Sequence, residues 1–129
     1  MFSSKAEDRM RIFSTKTHGV IDYLMGIILI ISPWVLGFNQ GGPETIIPVV
    51  IGAAIILMSL FTDYELGLVR SIPMPTHLLL DVLAGIFLAL TPWLFDFNEI
   101  VMAPHLIFGI ALLGSGIFTS TVPEGCRTC

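Results

Sequence analysis

Two histidine–aspartate pairs carry the strongest chemical signal in the sequence. His18 stands four residues before Asp22, and His77 stands four before Asp81. On a helix that spacing puts both side chains on one face. In an apolar setting such a pair can act as a polar clamp between helices or as a proton or ion relay. Two His and two Asp also form a competent metal donor set. Neither a neighbouring Cys nor a Glu-x-x-His motif supports that use, so the sequence assigns no metal. Cys126-Arg-Thr-Cys129 has dithiol spacing, but no strand–helix unit surrounds it. It reads as an incidental tail, with redox chemistry as the alternative and a metal shared between two chains as a further one. His105, opposite Pro48, has no acid to match it and reads as an ordinary interfacial or hydrogen-bonded residue. No nucleophile–base pair, phosphate loop, or haem or quinone ligand pattern is visible. An enzyme is therefore not expected, and no cofactor is implied.

The elements that must position these residues are hydrophobic. Of 129 residues, 54% are hydrophobic and 12% charged, and the formal net charge is −4. That balance exceeds what a small water-soluble core can hide, and dispersed acid argues against nucleic acid as a partner. Four stretches lack any Asp, Glu, Lys or Arg: Tyr23 to Pro43, Thr45 to Thr62, Val82 to Phe95, and Ile100 to Pro123. With apolar flanks they predict helices over Val20–Phe38, Ile46–Thr62, Leu78–Phe95 and Ile100–Ser120. All four are long enough to span a bilayer, the second and third being the shortest. The expected fold is an all-α transmembrane four-helix bundle in one membrane domain, 1–129.

One unit occurs twice. Thr17–Asn39 aligns with Thr76–Asn98, and 11 of 23 positions are identical. They include Thr17/Thr76, His18/His77, Asp22/Asp81, Gly26/Gly85, Pro33/Pro92, Trp34/Trp93, Phe38/Phe97 and Asn39/Asn98. The second helices match more loosely: Gly52 meets Gly109, and Phe61-Thr62 meets Phe118-Thr119. Repeat one covers 17–62 and repeat two 76–119, flanked by an N-terminal segment, 1–16, and a tail, 120–129. Each repeat holds two spans, so both enter the membrane from one side as parallel repeats. An internal copy also argues against reading the first stretch as a cleaved leader.

Orientation follows from basic residues. Lys5, Arg9, Arg11, Lys16, Arg70 and Arg127 all fall on the side of the termini and middle loop. The turns near Asn39–Glu44 and Asp96–Glu99 contain none. Both termini are therefore expected in the cytoplasm, with Asp22 and Asp81 about one turn inside that boundary. Pro33 and Pro92 are expected to terminate or kink their helices near the outer end. Trp34 and Trp93 are expected to anchor them in the interface, and the Ser32 and Thr91 hydroxyls to bond back to a carbonyl. Pro48 and Pro104 should sit in first turns, with Thr76 a weak cap.

Ser32-Pro33-Trp34, with Thr91-Pro92-Trp93 in the second copy, resembles the SPW-repeat membrane proteins of prokaryotes. The likeness runs from about His18 to Thr119. It implies a multi-pass protein of the prokaryotic plasma or inner membrane, contacting lipid, and it supplies no catalytic residue. Gly85-x-x-x-Ala89, Ala111-x-x-x-Ser115, Gly109, Gly114 and Gly116 offer surfaces for close helix approach, inside the bundle or in a homo-oligomer. The expected role is structural, assembly or accessory. The alternatives are a small transporter or ion or proton channel using the Asp22/Asp81 layer, and a membrane redox accessory acting through Cys126 and Cys129.

Overall fold

The computed structural model describes residues 12–121, and these form four helices. They are α1 (Thr15–Val35), α2 (Pro43–Leu60), α3 (Met74–Leu94) and α4 (Ala103–Phe118). α1 starts five residues before the predicted Val20. Ser14 caps it, its hydroxyl accepting from the Thr17 amide at 3.1 Å. An uncharged run marks where lipid-compatible sequence begins, whereas the cap marks where the helix begins. α3 likewise starts at Met74, behind an extended Pro73 and with no side-chain cap. Thr76 lies inside the first turn and is not the cap.

The C-terminal ends of α1 and α3 close alike. After α1, Gly37 adopts φ 75°, and the Phe38 amide turns back to the Pro33 carbonyl at 2.9 Å. After α3, Asp96 takes φ 58° at the aligned position, and the Phe97 amide reaches the Pro92 carbonyl at 2.8 Å. This is the left-handed helix stop that Gly favours and Asp tolerates. It brings Phe38 and Phe97 into the interior. α2 opens with Pro43 and Glu44, whose Oε1 accepts from the Gln40 and Gly42 amides at 3.0 Å each.

Three helices are long and apolar enough to cross a membrane; α4, of 16 residues, is apolar but shorter. The sequence reading made the second and third spans the shortest. The difference arises because α4 waits for Pro104 in its first turn and stops where Thr119 turns extended.

Each helix packs chiefly on its hairpin partner, α1 on α2 and α3 on α4, while α2 also meets α3 and α1 meets α4. α1 and α3 therefore stand on a diagonal. Both hairpins close on a glycine pair. A Cβ on Gly52 would lie 2.6 Å from the Gly26 carbonyl oxygen, and one on Gly109 would lie 2.7 Å from that of Gly85. Ala89 presses on Gly109 as well, so these small residues serve contacts within the chain, whereas Gly114 meets open space. Leu29, Ile55, Leu88 and Leu112 fill the centre. Outside, Leu24, Ile27, Val50, Leu57, Leu83, Leu90, Ile107 and Ile110 are exposed, while His18, Asp22, Ser59, His77 and Asp81 are fully buried. Polar groups inside and aliphatic groups outside suit lipid as the surrounding solvent.

Candidate functional site

The inward face of α1 carries His18, Asp22, Gly26, Leu29 and Pro33, all buried, and that of α3 carries His77, Asp81, Gly85, Leu88 and Pro92. The helical register that seats the leucines at the centre thus turns both His–Asp pairs inward, two turns away. The sequence reading expected two local pairs; both are present, and each histidine makes a shorter contact still to the aspartate of the other hairpin. His18 Nε2 is 2.7 Å from Asp81 Oδ2 but 3.0 Å from Asp22 Oδ2. His77 Nε2 is 2.7 Å from Asp22 Oδ2 but 3.1 Å from Asp81 Oδ2. The two pairs merge into one ring of four side chains that bridges the diagonal, with the imidazoles edge-to-face at 5.3 Å.

The second nitrogen of each imidazole is also held by the other hairpin. His18 Nδ1 lies 2.8 Å from the Thr119 hydroxyl, and His77 Nδ1 lies 2.6 Å from that of Thr62. Both hydroxyls already donate to the carbonyl one turn back, Thr119 to Ser115 and Thr62 to Met58. A hydroxyl has one proton. Each threonine oxygen therefore accepts from its histidine, and Nδ1 is the protonated nitrogen in both rings. The threonines are placed by two short parallel bridges, Phe13 with Thr119 and Ile72 with Thr62.

Sequence reasoning assigned neither threonine a role. The signal was the Phe-Thr pair that ends both second helices, which a reading of α1 and α3 alone passes over.

The apolar layer Leu29–Ile55–Leu88–Leu112 lies two turns along α1 and α3, and Tyr64, Met74 and Leu78 form a second apolar cluster, with the Tyr64 ring 6.1 Å from that of His77. Burial pushes the Tyr64 phenol above its ordinary value, so it remains a neutral hydroxyl. The two carboxylates differ in one respect. Ser59 donates to Asp22 Oδ2 at 3.2 Å, while the aligned position on α4 is Gly116. Among the described residues, Asp22 Oδ1 and Asp81 Oδ1 are buried without a hydrogen-bond partner.

The Ser-Pro-Trp segment has a direct physical reading. Pro33 has no N–H for the Leu29 carbonyl, and the Ser32 hydroxyl donates to that oxygen at 2.9 Å. Pro92 deprives the Leu88 carbonyl, and Thr91 supplies it at 2.6 Å. Within lipid an unpaired carbonyl costs several kcal/mol, which explains a hydroxyl beside each proline. Trp34 and Trp93 follow on the outer surface, both half-exposed.

Pro48 is a correction. α2 begins at Pro43, so Pro48 lies in the second turn and leaves the Glu44 carbonyl without its backbone donor. His105 Nε2 fills that role at 3.1 Å, with its ring between Phe38 and Phe97. His105 is therefore buried and hydrogen-bonded, away from the four-residue cluster. Cys126 and Cys129 lie outside the described residues.

Residues 16–119 match the model of the SPW repeat domain. No curated protein and no solved structure matches the chain.

Proposed function

The chain belongs to the SPW-repeat family, and we propose that it is a structural or accessory component of the membrane rather than an enzyme. In this reading it is a multi-pass bundle of two parallel hairpins with both ends cytoplasmic, and the His–Asp cluster locks the hairpins together. A membrane location rests on three membrane-length apolar helices and the family match. The observation that carries the lock is the exchange of partners. Each histidine makes its shortest contacts to an aspartate and a threonine of the other hairpin. An apolar layer beside the cluster argues against a continuous polar path for ions.

The test replaces Asp22. Asp22→Asn keeps size and hydrogen bonding, and it should assemble with modest loss. Asp22→Leu leaves both imidazoles without that carboxylate and should cost about 3–5 kcal/mol, the usual penalty for breaking a buried ion pair from one side. The parent protein in liposomes should pass no protons or ions. Reproducible flux abolished by Asp22→Asn or Asp81→Asn would replace the lock by a relay.

A further inference from the structure

When both rings are neutral, the atoms that converge in the cluster are all acceptors. Both Nδ1 protons are committed to Thr62 and Thr119. In the neutral rings Nε2 is then a bare lone pair aimed at two carboxylates. We infer that the cluster binds one divalent transition-metal ion, ligated by His18 Nε2, His77 Nε2 and a carboxylate oxygen each from Asp22 and Asp81. The inference rests on the lock reading and deepens it by naming what closes the lock.

Three observations support it. All four ligand atoms lie within 4.8 Å of one another, and all four residues are buried. Bonds of 2.0–2.1 Å in a tetrahedral site place neighbouring ligands about 3.3 Å apart. The ring contacts of 2.7–3.1 Å need to open by only a few tenths of an ångström. Second, two carboxylates and one divalent cation make a neutral buried cluster. Two imidazolium ions would also neutralise it, but they leave Oδ1 of both aspartates without a partner. A cation engages those oxygens when a carboxylate rotates or binds through both. Third, a hydroxyl on Nδ1 fixes the ring orientation and leaves Nε2 free, as ligating histidines require. Two imidazoles with two carboxylates favour Zn²⁺, Mn²⁺, Fe²⁺, Co²⁺ or Ni²⁺. They disfavour Mg²⁺ and Ca²⁺, which prefer oxygen alone, and Cu⁺, which prefers sulfur.

The experiment uses the full-length untagged chain carrying Cys126→Ser and Cys129→Ser, so that tail thiols contribute nothing. The protein is stripped with a chelator in detergent and titrated with Co²⁺. Saturation at one ion per chain is expected, with visible d–d bands of a low-symmetry nitrogen–oxygen site that added Zn²⁺ abolishes. Thr62→Val keeps all four ligands and should weaken Co²⁺ about 10–100-fold. His77→Gln should weaken it further. Absence of saturable binding, or binding indifferent to both substitutions, overturns the inference. The two proposals fail separately. A chain that ignores Co²⁺ yet is loosened by Asp22→Leu keeps the lock and loses the ion. One that binds Co²⁺ through His77 while tolerating Asp22→Leu keeps the ion and loses the lock.

Discussion

His105 donates from Nε2 to the carbonyl oxygen of Glu44, joining α4 to α2 at the one turn where α2 lacks a backbone donor. The contact is a repair of the Pro48 defect by a side chain from the other hairpin. His105→Ala should therefore destabilise the protein by about 1–3 kcal/mol, the cost of a buried unpaired carbonyl. In a Pro48→Ala background the amide of residue 48 can serve that carbonyl, and the same substitution should cost much less. A double-mutant cycle read by unfolding in detergent checks this. Strictly additive costs would mean that His105 acts through packing alone.

The same logic applies within one residue of each proline. Ser32→Ala should cost about 1–2 kcal/mol, and Ser32→Thr should be nearly silent, since Thr91 makes the equivalent bond. Adding Pro33→Ala to Ser32→Ala should recover most of the loss. The measurement is again a cycle, and a Ser32→Ala penalty unchanged without the proline would contradict it.

Hairpin closure depends on the absence of a side chain. Gly85→Val puts atoms against the Gly109 carbonyl and the Leu113 amide, both within 2.6 Å of the Cβ position. Forced separation of α3 and α4 should cost about 1–3 kcal/mol and be seen as a lower unfolding midpoint. Gly114→Ala, at a position facing open space, should leave that midpoint within about 0.5 kcal/mol of the parent.

The proposed orientation is checked by labelling. A single cysteine introduced at Gly41, in a chain whose own cysteines are serine, should react with an impermeant thiol reagent applied to intact cells. One introduced at Arg70 should react only after the membrane is opened. Reversed accessibility would turn the bundle over and leave its internal geometry as described.

The four helices of the described residues, the face carrying His18, Asp22, His77 and Asp81, and the hydroxyls paired with Pro33 and Pro92 were all legible in the sequence. Each follows from periodicity or from chemistry within one turn. The exchange of aspartates was not, because an i,i+4 spacing says that His18 can reach Asp22 but nothing of what stands across the diagonal. Pro48 was misplaced for a related reason. Its role depends on where α2 begins, and Pro43 with the Glu44 cap decides that. The starts of α1 and α3 were predicted late because Lys16 and the Pro73–Pro75 segment look like boundary residues, although the backbone is already helical through Lys16 and from Met74.

The two parallel bridges join the hairpins in the same way at both seams. Phe13 and Ile72 occupy aligned positions, as do Thr119 and Thr62. One bridge spans a short continuous loop, and the other joins segments more than a hundred residues apart. The four-helix ring thus has two like seams, of which only one is crossed by a short connection. A single hairpin holds half of each seam, one histidine, one aspartate and the threonine meant for its neighbour. Such a half is incomplete alone and complete as a pair. Cutting the chain between Thr62 and Ile72 and joining the segments that meet at Phe13 and Thr119 should therefore keep the histidine, aspartate and threonine contacts.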